Sequence, residues 1–138
     1  MNSDHGLTYE QCLELLADQC VGRLAVIVAG RPEIFPINYV LDGDAVVFRT
    51  NSGTKLFGTT QGEVAFEVDI THAPSLSGWS VVVHGIAQEV TDGDRADLQE
   101  RLHGLPLGVW AAGDRPHLMR IAPNEITGRK VVPEHQLA

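Results

Sequence analysis

From Gly22 onward the chain alternates short runs of β-branched and aliphatic residues with two- to four-residue turn signals, a pattern that a helical domain cannot carry. "GRLAVIV" (22–28) is separated by "AGRP" from "EIFPINYVL" (33–41), and "DGD" separates that run from "AVVFRT" (45–50). These three runs predict a meander of three strands. Pro36 lacks an N–H for the ladder, so the second run belongs at an edge, a bulge or a strand start. "EVAFEVDIT" (63–71) alternates strictly, with Val64, Phe66 and Val68 on one face and Ala65, Glu67 and Asp69 on the other. After the loop "HAPSLSG" comes the long run "WSVVVHGIAQEV" (79–90); "HLMRIAP" (117–123) then supplies one more strand, and "EITGRKVV" a tail.

Helical signals are few. Thr8 followed by Gln11 resembles a capping box, and Cys12, Leu15 and Leu16 recur at helical spacing in "TYEQCLELLADQ". Asp92 or Asp94 can cap a second short helix, "RADLQERLHG", with Leu98 and Leu102 four residues apart and Gly104 as its stop. "SGTKLFGTTQG" suits a single helical turn beginning near Lys55, and "LPLGVWAAGDRP" reads as a loop. About six short strands and two small helices indicate an antiparallel barrel or sandwich.

The chain has 138 residues and 43% hydrophobic content, which fits one domain over 1–138 with a sizeable core. Its formal net charge of -8 comes without a basic stripe, which removes nucleic acid as an expected partner. No apolar run approaches the roughly 20 residues that span a bilayer, and "MNSDHGLTYEQ" lacks the blocks of a signal peptide, so a cytoplasmic protein without membrane attachment is expected. Cys12 and Cys20 form no metal or redox motif and read as small apolar residues packed near the first helix.

Against this acidic background one cluster stands out. Between Arg31 and Arg95 the only Lys or Arg residues are Arg49 and Lys55, amid Glu33, Asp42, Asp44, Glu63, Glu67, Asp69, Glu89, Asp92 and Asp94. "RTNSGTK" combines a guanidinium fork, an ammonium, the hydroxyls of Thr50, Ser52 and Thr54, and Gly53 where backbone can approach a ligand closely. Those are the donors that hold a phosphate. The glycine spacing is not that of a Walker loop. "FPINYVLDG" adds Asn38 and Tyr39 amid apolar residues, and "SGWSVVVHG" places Trp79 and Ser80 at the mouth of an apolar strand; together they could line a slot beside the phosphate site. No catalytic triad is visible. The six histidines show no metal-ligand spacing, His84 faces either solvent or a seam between copies, and Glu67 and Asp69 read as a solvated pair.

The order "GRLA", "PEIFPINYVLDGDAVVFRTNSGTKL", "VAFEVD" and "GWSVVVHGIAQEV" resembles the pyridoxamine phosphate oxidase-like FMN-binding split-barrel family, over roughly Gly22 to Val90, with "MRIAPNEITGR" a looser match. The resemblance implies a mainly β fold, an antiparallel split β-barrel with short flanking helices, and a homodimer with FMN in two clefts between protomers. It places Arg49, Thr50 and Lys55 at phosphate-binding positions, with Gly53 and Thr54 completing the turn. Asn38, Tyr39 and Val40 correspond to the strand passing the flavin ring, and Trp79 and Ser80 to a strand approaching from the other protomer. His84 departs from the arginine that related sequences often have, and the basic C-terminal substrate motif of true pyridoxamine phosphate oxidases is missing.

The resulting expectation is an FMN-dependent oxidoreductase, a reductase passing two electrons from a reduced nicotinamide to a small acceptor. The alternatives are a non-catalytic flavin-binding or sensing protein and a deazaflavin-dependent reductase on the same fold. Little positive charge is available for a deazaflavin's acidic tail, and no histidine is marked as an axial ligand for haem.

Overall fold

The first helix starts where its capping box puts it. In the computed structural model, which describes residues 6–50, 62–72, 74–101 and 117–131, α1 spans Tyr9–Ala17. Its Thr8 hydroxyl accepts the Gln11 N–H at 3.1 Å, while the Gln11 side chain accepts the Thr8 N–H at 2.8 Å. The face carrying Cys12 and Leu16 is buried, and the Tyr9 hydroxyl donates to Asp44 at 2.7 Å.

Among the described residues seven strands follow: β1 (Val21–Val28), β2 (Arg31–Asn38), β3 (Val40–Asp42), β4 (Ala45–Thr50), β5 (Glu63–His72), β6 (Ser77–Glu89) and β7 (His117–Val131), with α2 (Asp92–Arg101) between the last two. All pairings are antiparallel, in one sheet of order β2-β1-β5-β6-β7-β4-β3. The two ends of that order, β2 and β3, are separated in the chain by Tyr39 alone. The sheet therefore curls until its edges meet at that residue, the geometry of a split barrel.

This is the main departure from the expected meander. Residues 33–41 do not form one strand: the ribbon breaks at Tyr39, whose N–H bonds the Cys20 carbonyl at 3.0 Å, and Val40 starts a new pairing with Val47. Tyr39 itself turns inward, 2% exposed, with its hydroxyl donating to the Leu16 carbonyl and its ring edge-on to Phe66 at 4.8 Å. Pro36 lies on β2, an edge strand, where the missing N–H costs nothing.

Among the described residues two apolar clusters occupy opposite faces of the curl. The larger fills its interior with Leu24 and Val26 of β1, Phe66 and Val68 of β5, Val81 and Val83 of β6, and Val46 and Phe48 of β4, closed by Cys12 and Leu16 of α1. The smaller, Val40, Val47, Leu118 and Leu98, fastens α2 to the outside of the β3-β4-β7 corner. Among the described residues of this helix, Leu98 is the buried apolar anchor. Arg101 adds a paired bond to Asp42 at 2.9 and 3.0 Å, and Arg120 reaches the same carboxylate at 3.5 Å.

Three smaller differences have local causes. Residues 125–131 are not a tail but the second half of β7, because Asn124 bulges between Pro123 and Glu125 and so carries Pro123 through the ladder. The second helix begins earlier than its apolar pattern suggests, at Asp92, with the Arg95 N–H bonded to the Thr91 carbonyl at 2.8 Å and Asp94 inside the first turn. Cys12 is buried as expected, whereas Cys20 is exposed. Among the described residues no helix is long and apolar enough to cross a membrane.

Candidate functional site

Strand β4 delivers Arg49 and Thr50 as its last two residues, opposite Leu118 and His117 of β7. Both are half-buried. Alternation puts Arg49 on the face of Val47, the outer side that carries α2, and its Nε is shielded from solvent. The guanidinium is held below the ordinary arginine value, first by burial and then by the positive charge of Arg95 on α2. Gly53, Thr54 and Lys55, and the helical turn expected near Lys55, lie outside the described residues.

Asn38, Tyr39 and Val40 occupy the break between the two edge strands, and each points differently. Asn38 is exposed at the end of β2, opposite Val21. Tyr39 is committed to the core through Leu16 and Phe66. Val40 pairs with Val47 and joins the small cluster under α2, on the same side of the β3-β4 ribbon as Arg49. The structure thus gathers Val40 and Arg49 onto one corner, with Thr50 next to them on the opposite face.

Trp79 and Ser80 are elsewhere. Adjacent on β6, they point to opposite faces: Trp79, between Ile70 and Lys130, packs against the main cluster, while Ser80 lies between Asp69 and Arg129. Lys130 and Leu118, the β7 partners of Trp79 and Arg49, are twelve residues apart, roughly 40 Å of extended strand. Within one chain, Trp79 and Arg49 belong to opposite ends of the barrel.

Two features were not legible beforehand. Arg95 lies three residues before Leu98, so the leucine that anchors α2 also brings that guanidinium toward Arg49; the available signal was the i, i+3 spacing of an arginine and a lone leucine in an otherwise polar helix. Glu67 and Asp69 are not simply solvated. Arg23 bridges them, its Nη2 at 3.1 Å from Glu67 and 2.7 Å from Asp69. Burial, then a hydrogen bond with Asp69, pushes the Glu67 carboxyl up to about 7, while Asp69 is held low by the same bond and by Arg23.

His84 is exposed, 3.9 Å from Glu125, and among the described residues no cluster of three or more His, Cys, Asp or Glu side chains is placed to hold a metal. A cavity of about 240 Å³ between α2 and the sheet is bordered by Glu89, Asp94, Asp97, Arg101 and Arg120. Its acids outnumber its arginines, and both arginines are engaged by Asp42. It is a poor place for an anion.

The family model for pyridoxamine 5'-phosphate oxidase matches residues 8–130. The chain belongs to the pyridoxamine 5'-phosphate oxidase family. This family member is 34% identical to the FAD binding protein from Mycobacterium smegmatis, with a TM-score of 0.71 over 94% of this chain and 98% of that one. A conserved protein of unknown function from Corynebacterium diphtheriae is 36% identical, with a TM-score of 0.69 over 90% and 94% of the two chains. An uncharacterized protein of Mycobacterium tuberculosis is 29% identical over 134 residues, 93% of this chain and 86% of the relative. The split-barrel architecture and the family resemblance read from residues 22–90 are both borne out.

Proposed function

We propose that the protein is a flavin-dependent oxidoreductase that binds FMN and passes two electrons from a reduced nicotinamide to a small acceptor. The observation that carries this reading is Arg49, a half-buried, partly desolvated guanidinium at the end of β4, where the polar sequence "RTNSGTK" begins. A cation withdrawn from water in an acidic chain is well suited to a phosphoryl group. Support for the flavin comes from the relative from Mycobacterium smegmatis, described as FAD-binding. A bound flavin supplies the two-electron chemistry, and the chain supplies position and charge. Arg49 and Thr50, with Gly53, Thr54 and Lys55, hold the phosphate end. Asn38 and the backbone of Tyr39 and Val40 border the ring.

In this reading the functional unit is a homodimer in the cytoplasm. A single flavin reaches both Arg49 and the Trp79–Ser80 end of β6 only if two copies each contribute one end, since in one chain the two are separated by the length of β7.

The test is an absorbance spectrum and flavin titration of purified protein, followed by nicotinamide oxidation with the flavin bound. Arg49→Ala is expected to weaken FMN binding by roughly ten- to a hundredfold and riboflavin binding hardly at all. Equal losses for both ligands would place the phosphate elsewhere. Binding without nicotinamide turnover would make the protein a flavin carrier or sensor, and a mass of one chain with flavin bound would remove the dimer.

A further inference from the structure

Packing brings together two guanidiniums that electrostatics alone would keep apart. Leu98 sits at 1% exposure in the small cluster with Val47 and Leu118. Arg49 is two residues beyond Val47 on the same strand face and is the ladder partner of Leu118, while Arg95 is one helical turn before Leu98 on the same helix face. The seam that buries Leu98 therefore brings Arg95 near enough to Arg49 for the two charges to interact. The bond from Arg101 to Asp42 ties the other end of α2 to β3. Asp94 and Asp97, the neighbouring acids on α2, both lie within the electrostatic reach of Arg101, and Asp94 also accepts the Thr91 hydroxyl at 3.3 Å.

Two like charges converging on a half-buried corner repel each other, and an anion placed between them turns that repulsion into attraction. We propose that Arg95 is a second phosphate-binding residue, which with Arg49 forms a two-guanidinium clamp for the phosphoryl group of a flavin nucleotide. The proposal rests on the reading of Arg49 as phosphate-binding and adds a residue from a different element, outside the "RTNSGTK" sequence. It also gives α2 a purpose, since the helix, anchored by Leu98 and by the Arg101–Asp42 ion pair, adds a second guanidinium to the corner that Arg49 occupies.

The experiment compares wild type, Arg95→Gln and Arg95→Lys by flavin fluorescence with FMN, FAD and riboflavin, and by thermal shift with inorganic pyrophosphate. Arg95→Gln is expected to weaken FMN and FAD roughly tenfold, to leave riboflavin within about twofold, and to abolish stabilisation by pyrophosphate. Arg95→Lys should recover part of each loss, since an ammonium keeps the charge without the fork. Unchanged FMN affinity in Arg95→Gln overturns the clamp, and so does an equal loss for riboflavin, which would trace to displaced α2 packing. Wild type stabilised by pyrophosphate through Arg95 but binding no flavin would sink the flavin reading and leave the clamp standing. Flavin binding that ignores Arg95 would do the reverse. Helical content by circular dichroism confirms that each variant keeps α2.

Discussion

Asn38 and Val40 are separated by one residue in sequence and stand on opposite edges of the same sheet, Asn38 paired with Val21 and Val40 with Val47. Tyr39 is the hinge between them, and three bonds or contacts hold it: the Cys20 carbonyl, the Leu16 carbonyl and the Phe66 ring. Tyr39→Phe keeps the ring but leaves the buried Leu16 carbonyl without this donor, a loss of about 1–2 kcal/mol. Tyr39→Ala opens a cavity as well and is expected to cost about 3–5 kcal/mol. Urea unfolding of both variants checks the order; a Phe variant as stable as wild type would mean that the hydroxyl contributes nothing to closure.

Asp42 fastens α2 to β7 by accepting from Arg101 and Arg120 with its side chain mostly buried. Hydrogen bonds from Arg101 hold its carboxyl below the usual range, against the opposing effect of burial. Its contribution is therefore present above the unfolded carboxylate value and disappears as pH falls through the lower folded one. Asp42→Ala should destabilise by about 1–3 kcal/mol at neutral pH and by less near pH 3, as measured by thermal melts across that window. If the clamp is correct, the same variant also lowers FMN affinity, although Asp42 belongs to neither phosphate-binding element.

Glu67 works in the opposite direction. Its folded value of about 7 exceeds the unfolded one, so the folded chain binds more protons between roughly pH 4.5 and 7, and stability falls as pH rises through that interval. Glu67→Gln cannot ionise. The variant should lose this slope and melt about 3 °C above wild type at pH 8, with a smaller difference at pH 5. Parallel melting profiles for the two proteins would show that Arg23 already compensates the charge.

At Gly78 the sheet leaves no room for a side chain, since a Cβ there would lie 1.7 Å from the Ile70 carbonyl oxygen. Gly78→Ala must push β5 away from β6 beside Trp79, at a cost of about 1–3 kcal/mol or more. Tryptophan fluorescence during unfolding follows the event: a red-shifted native spectrum with a lowered midpoint is expected, and an unchanged spectrum and midpoint would contradict the close approach.

What the sequence could reveal follows from how local each feature is. The capping box of Thr8 and Gln11, the alternation of Val64, Phe66 and Val68, and the exclusion of Pro36 from a central ladder site all depend on neighbouring residues and were readable. The break at Tyr39 was not, because Asn38, Tyr39 and Val40 read as one continuous strand and the partners that turn the tyrosine inward, Leu16 and Phe66, are distant in sequence. Pro123 looked like a strand end until the Asn124 bulge let β7 continue through it. In the candidate site, Arg49 was visible as an isolated charge, whereas Arg95 gained meaning only when Leu98 was seen docked beside it.

The sheet order also sets a timetable for synthesis. β4 pairs only with the short β3 and with β7, and the stretch of β7 that reaches it, residues 117–121, emerges from the ribosome some seventy residues after Thr50. At about 5–20 residues per second that is a wait of roughly 4–14 s. During it the nascent chain presents Val46 and Phe48, both fully buried in the finished protein, on an open strand edge. Translation pauses within residues 51–116 would prolong that exposure, whereas pauses after Val131 has emerged would come too late to matter.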